Sequence, residues 1–133
     1  MEPDEVVEVE TVAPKTTRAT ARHHAFFVDK PSDKGGTDKG PMASEYFLAS
    51  LASCHITTAH KVAEKRRVNL ERVKIRAGAW FDGDLMTKIL LDVHVKGSLS
   101  DEDRETVFRL TERICTISQA TKTPIERRFH AWK

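Results

Sequence analysis

Cys54 and Cys115 are the two cysteines of this 133-residue chain, and a thiol is the side chain here best suited to covalent chemistry. As a thiolate it can attack a peroxide or a disulfide, or bind a metal. An unperturbed thiol, with a pKa of about 8.5, is only a few per cent ionised at neutral pH, so a reactive cysteine needs neighbours that stabilise its charge. Glu45 stands near the start of the stretch that carries Cys54, GPMASEYFLASLASCHITTAHKVAEKRR from Gly40 to Arg67. The plain reading of a cysteine on an apolar helix is a small buried hydrophobe, so each thiol is an inert core residue, a metal ligand or a redox group. His23, His24, His55, His60, His94 and His130 could add ligands, but there is no CxxC or HxxxH pair and zinc is not expected. His55 follows Cys54 directly. Adjacent residues on a helix point about 100° apart, so His55 is not read as its base.

The elements that position these residues follow from periodicity. Phe47, Leu51, Cys54, Thr58 and Val62 form one helical stripe, and Leu48, Ala52, Ile56, Ala59 and Ala63 a second beside it. Two stripes predict a helix buried against more than one neighbour, with the small residues of LASLASC admitting close approach of another backbone. Lys65, Arg66 and Arg67 suit the negative end of that helix's dipole. Before it, Glu5 to Val12 alternates as an edge or half-buried strand, and Thr16 to Asp29 is β-prone with a turn near Ala21 to His23. Pro31 to Pro41 is a Gly/Pro-rich loop whose glycines match neither a Walker nor a dinucleotide pattern. After the helix, Val73 to Phe81 and Ile89 to Val95 alternate around Asp82-Gly83-Asp84, which predicts an antiparallel hairpin. Ser100 caps a second helix with a core stripe of Val107, Leu110, Ile114 and Ile117, near whose end Cys115 lies. Pro124 stops it, and Ile125 to Trp132 reads as a last strand. Trp80 and Trp132 read as strand-packing or interface residues. The order gives an α+β class, with antiparallel-rich sheets packed on two main helices in a single domain over residues 1–133.

Composition narrows the function. A 39% hydrophobic and 32% charged chain is that of a soluble globular protein, and a net charge of +2 gives no reason to expect nucleic acid. No apolar run reaches the roughly 20 residues of a membrane helix, and MEPDEVVEVE is acidic where a secretory leader is basic and then apolar. The expected location is cytoplasmic, where two cysteines are not a permanent structural bridge.

GTDKGPMASEYFLASLASCHITTAHKVAEKR resembles the helix-opening segment of the osmotically induced protein C and organic hydroperoxide resistance (OsmC/Ohr) family, of a general OsmC-like branch. There a Gly-Pro loop leads to a glutamate and then to a small-residue run ending in cysteine. HHAFFVDKPSDKGG is similar to the strand and loop before that segment, and ERICTISQATKTP to the second cysteine region. The resemblance implies an OsmC-like fold in an intertwined homodimer. It also implies thiol-dependent peroxidase chemistry as an antioxidant stress response, with Cys54 peroxidatic, Cys115 resolving and Glu45 holding a catalytic arginine. No resident cofactor or metal is implied; the reductant is an external dithiol, of lipoyl type in the better-studied branch. Met42-Ala43 stands where many members have Thr-Pro, and Thr116 where proline commonly follows the second cysteine. The loop between Asp29 and Glu45 has no arginine, which leaves Arg18 or Arg22.

A guanidinium would act less by ionising the thiol than by binding peroxide and stabilising the departing alkoxide. A thiol acidified by about three pKa units gains roughly 30-fold in thiolate but, at a Brønsted slope of about 0.4 to 0.5, loses nearly as much nucleophilicity. Glu45 and Cys54, nine residues apart, fall on opposite sides of a straight helix and about 13 Å apart along it. Either the helix breaks between them, or Glu45 serves the other subunit's Cys54, or it only favours the helix dipole. The expected function is therefore reduction of organic hydroperoxides through a Cys54 sulfenic acid resolved by Cys115. The alternative is a non-catalytic dimeric module of the same fold, stress-associated or binding a small hydrophobic ligand.

Overall fold

The computed structural model describes all 133 residues, which divide into two compact units, residues 1–47 and residues 48–133. The chain is α+β, with two three-stranded sheets, a long helix between them in sequence and two more helices before the last strand of the second sheet.

In the first unit, β1 (Glu8–Ala13), β2 (Thr16–Ala21) and β3 (His24–Val28) form an antiparallel sheet in chain order. The β2–β3 turn lies where Ala21 to His23 predicts it. It has no glycine; Arg22 itself takes the left-handed conformation at φ 56°. β1 is exposed along Glu8–Val12, so its alternation belongs to an edge strand with neither face covered in this chain. The loop that follows β3 is organised by Asp29, buried at 2% exposure. Its carboxylate accepts hydrogen bonds from the Thr37 hydroxyl (2.7 Å), the Thr16 hydroxyl (2.9 Å) and the amides of Lys30 (2.7 Å) and Lys39 (3.1 Å). Led by the Thr37 bond, these hold Asp29 well below the usual carboxylate range. Gly36 is required there, because a Cβ would run into the Lys30 carbonyl and the Asp29 carboxylate.

Helix α1 (Ala43–Arg66) begins in the first unit and continues into the second without a break. Its buried residues are Leu51, Ala52, His55, Ala59, Val62 and Ala63, so the face predicted from the apolar residues also carries a histidine. β4 (Arg72–Asp82) and β5 (Leu85–Lys96) form the predicted hairpin, with Gly83 at φ 61° in its turn. Their register shifts between Trp80 and Phe81, so the alternation that hides Val73 to Ala79 does not extend to Phe81, which is 52% exposed. Helix α2 (Asp101–Ile114) starts at Ser100, whose hydroxyl accepts the Asp103 amide hydrogen as an N-cap. Helix α3 (Thr116–Ala120) leads to β6 (Ile125–Ala131), which pairs with β5 in parallel. A parallel partner needs a crossover, and α2 and α3 supply it.

Ile89, Leu91 and Val93 of β5, Leu51 and Ala59 of α1, and Val107 and Phe108 of α2 are fully buried. Along α2 the core differs from the stripe read in the sequence. Phe108 and Thr111 accompany Val107 inside, Ile114 is 53% exposed, and Ile117 belongs to α3 because α2 ends at Ile114. Phe108 meets Phe129 of β6 edge-on at 5.2 Å between ring centres. Arg127 of β6 pairs with Glu112 of α2 at 2.6 Å and donates to the Phe108 carbonyl. No helix is long and apolar enough to cross a membrane.

Candidate active site at the paired cysteines

Cys115 is a cap in two directions. It closes α2, with its amide donating to the Thr111 carbonyl at 2.8 Å, and opens α3, with its own carbonyl accepting from the Gln119 amide at 3.0 Å. Its backbone is extended, φ −65° and ψ 115°, which stops one helix and starts the next. The first amides of a helix have no carbonyl of that helix to donate to. Here the amides of Ile117 and Thr116 favour the charged form of the Cys54 sulfur.

The two thiols influence each other's ionisation, Cys54 being half-buried and Cys115 fully buried. Burial opposes ionisation of Cys54, but the Cys115 thiol, the two amides and the Thr58 hydroxyl, whose oxygen is 3.9 Å from the sulfur, together pull its pKa below the ordinary thiol value. Cys115 moves the other way. Burial, and then the bond it donates to Cys54, push it up to about 11. The pair ionises as a unit whose first negative charge rests on Cys54 and whose remaining proton rests on Cys115. Amides, a hydroxyl and a thiol hold that charge; no cation of residues 48–133 is among them.

His55 is the residue that sequence reasoning passed over. It is fully buried, and its Nδ1 lies 3.4 Å from the Cys115 sulfur and 3.2 Å from the Leu51 carbonyl oxygen. Comparing it only with its neighbour Cys54 hid this relation. The available signal was its place four residues after Leu51 and four before Ala59, on the buried face. Burial holds its pKa below the usual value, so the ring is neutral.

Glu45 is exposed, and its Oε1 accepts the Met42 amide hydrogen at 2.8 Å. That is the reciprocal half of a capping box, supplied without the Ser or Thr that usually provides the other half. Because α1 is unbroken, a break between Glu45 and Cys54 is not the arrangement adopted. Arg18 lies in mid-β2, paired in register with Glu10 on one side and Phe27 on the other, and Arg22 forms the β2–β3 turn. Both arginines and Glu45 belong to residues 1–47, and both cysteines to residues 48–133.

A family model described as OsmC-like protein matches residues 36–129. No curated protein matches the sequence. Among solved structures, an OsmC-like protein from Mycoplasma pneumoniae superposes with a TM-score of 0.85 at 13% identity, covering 100% of both chains. An OsmC-like protein of unknown function from Vibrio cholerae gives 0.82 at 15% identity, covering 97% of this chain and 100% of that one. An organic hydroperoxide resistance protein OsmC from Legionella pneumophila gives 0.74 at 15% identity, covering 98% of each. At these identities the likeness is one of fold.

Proposed function

Because the chain belongs to the OsmC-like protein family, we propose that it is a thiol-dependent peroxidase acting on organic hydroperoxides. The observation that carries this reading is the unequal thiol pair. Cys54 is held below the ordinary thiol value while Cys115 is pushed up to about 11, so Cys54 is the readier nucleophile and Cys115 the thiol that keeps its proton. Cys54 attacks the outer oxygen of the hydroperoxide, the O–O bond breaks, and the alkoxide leaves and takes up a proton as the alcohol. Cys54 is left as a sulfenic acid. The Cys115 sulfur then displaces its hydroxyl as water and closes a disulfide. An external dithiol, of lipoyl type in this reading, reopens the disulfide through a mixed disulfide and is itself oxidised.

The working form in this reading is a cytoplasmic homodimer. Arg18 or Arg22 supplies the guanidinium that stabilises the departing alkoxide, and Glu45 is its carboxylate partner, in the same chain or in the other. A second reading, a non-catalytic module binding a small hydrophobic ligand, is favoured by one observation: no cation of residues 48–133 holds the Cys54 charge.

Consumption of tert-butyl and cumene hydroperoxide with dihydrolipoamide separates the two. The peroxidase reading expects Cys54→Ser to abolish turnover. Cys115→Ser should still consume one equivalent of peroxide and then stop. Consumption undiminished in Cys54→Ser would end the reading, and no consumption by the wild type would favour the binding module.

A further inference from the structure

We propose that the outer face of the β4–β5–β6 sheet binds single-stranded nucleic acid, a function that involves neither cysteine. The net charge of +2 averages over a chain whose charges are unevenly placed. Strand alternation turns Ile89, Leu91 and Val93 of β5 into the core and the residues between them outward. On the outward face the register sets Arg72 of β4 opposite Lys96 of β5, Lys74 opposite His94, and Arg76 opposite Asp92. From β6, Arg128 stands opposite Asp92 and His130 opposite His94. With Lys88 and Glu126 added, this face holds six of the chain's 22 lysines and arginines but two of its 20 acidic residues. The rest of the molecule is therefore net negative.

The two carboxylates are already engaged. Asp92 accepts from His130 at 2.8 Å, and Glu126 pairs with Lys88 at 2.8 Å and with Arg128 at 3.5 Å. The His130 bond first, then the charges of Arg128 and Arg76, hold Asp92 below the usual carboxylate range; the Lys88 bond and Arg128 do the same for Glu126. Arg72, Lys74, Arg76 and Lys96 form no ion pair with a carboxylate side chain. Lys74 reaches a main-chain oxygen of Lys133, at 3.2 Å. Like charges directly opposite one another weaken a sheet, so sheet stability does not account for setting Arg72 against Lys96. A face with this surplus is complementary to an anion that carries several charges.

Spacing and rings say which polyanion. Arg72, Lys74 and Arg76 recur at every second residue of β4, about 6.8 Å apart, a row that can track a chain bearing one charge per repeat. Arg72 and Lys74 lie over the Trp132 ring, at 4.9 and 5.5 Å from its centre. A base stacked beside them on Trp132 brings its phosphate to the same two cations. Beside this corner the His94 and His130 rings stack on each other at 4.9 Å between centres. Cations that follow a backbone, next to flat rings that receive bases, are what single-strand binding requires. A duplex keeps its bases stacked on each other and would leave the rings unused. A bilayer would need an aliphatic side chain to enter it, and Leu90, at the centre of the face, is 9% exposed.

The test is fluorescence anisotropy of labelled oligouridylate and oligodeoxythymidylate of about 20 nucleotides, titrated with the full chain at about 50 and about 200 mM salt. The wild type should bind with micromolar affinity at the lower salt. Its log K should fall with log salt at a slope of about −3, for four phosphates neutralised. Lys74→Glu with Arg76→Glu should weaken binding at least 10-fold and flatten the slope without lowering the thermal midpoint. Lys74→Gln with Arg76→Gln, which removes the charge without reversing it, should weaken it in the same direction. Lys65→Glu with Arg66→Glu, exposed at the end of α1, makes the same change in net charge and should bind like the wild type. Trp132→Leu should weaken binding about 5 to 10²-fold and leave the salt slope unchanged.

No wild-type binding at about 100 μM protein would overturn the proposal, being weaker than ordinary sequence-independent binding. So would equal losses in the sheet and α1 charge reversals, which would make net charge the cause. Polyglutamate competing as well as oligouridylate, or binding to phosphatidylserine vesicles but not to either oligonucleotide, would assign the face to another polyanion and overturn it as well.

Discussion

At the scale of single residues, two chemically identical side chains are made unlike by their surroundings. Burial opposes ionisation of both; at half-buried Cys54 it is outweighed by Cys115, the Ile117 and Thr116 amides and Thr58, whereas at wholly buried Cys115 it prevails over the Ser118 and Ile117 amides. The direction of each shift fixes a pH dependence. A thiol held below its ordinary value stays ionised as pH falls and becomes protonated only under that lowered value. The peroxide-consuming step, timed by stopped flow, should therefore have its acid limb below the roughly 8.5 of a free thiol. A limb at or above that pH would show that the donors do not act on Cys54. Glu45 illustrates the opposite case, a residue given a catalytic role by resemblance whose visible contact is with the Met42 amide at its own helix start. Position in the first helical turn is enough to explain an acidic residue there.

At the scale of elements, the site depends on an interruption between α2 and α3. Thr116 is the first residue of α3, where proline is tolerated because the amide it lacks is not used by the helix. Thr116→Pro should leave the fold and α3 intact while removing one donor from Cys54. Its thiol should then titrate at higher pH, and an unchanged titration would show that the Ile117 amide and Cys115 suffice. Phe108 is fully buried against Phe129 and its carbonyl receives Arg127, so Phe108→Ala should cost about 3–5 kcal/mol in a urea melt. Most of these elements were legible from periodicity: the α1 stripe, the β4–β5 hairpin around Gly83 and the Ser100 cap all reflect local pattern. What was not legible is long-range. The parallel pairing of β6 with β5 leaves no local mark, and the burial of Phe108 in place of Ile114 depends on where α2 stops. His55 was hidden because its partner Cys115 is 60 positions away in sequence.

At the scale of the whole molecule, this fold is shared with chains only 13–15% identical, so the scaffold accepts wide variation in sequence. Trp80, Phe81 and Leu85, at 49%, 52% and 66% exposure, place apolar area at and beside the β4–β5 turn. A homodimer would cover such area. Sedimentation equilibrium should give about twice the 15.0 kDa chain mass, and Leu85→Lys with Trp80→Lys should shift it toward one. A wild-type protein that stays at one chain mass at micromolar concentration would rule the dimer out. The double cap at Cys115 has a consequence of another kind. In the reduced protein the Ile117 and Thr116 amides favour the Cys54 thiolate; once that sulfur is bonded in a disulfide no such charge can form and the acceptor is weak. Those two amides should then trade their hydrogens with deuterated solvent faster, while the strand amides of β5 keep their rate. Thiol oxidation would thus be written into the main chain of one helical turn, where isotope exchange can read it without any turnover.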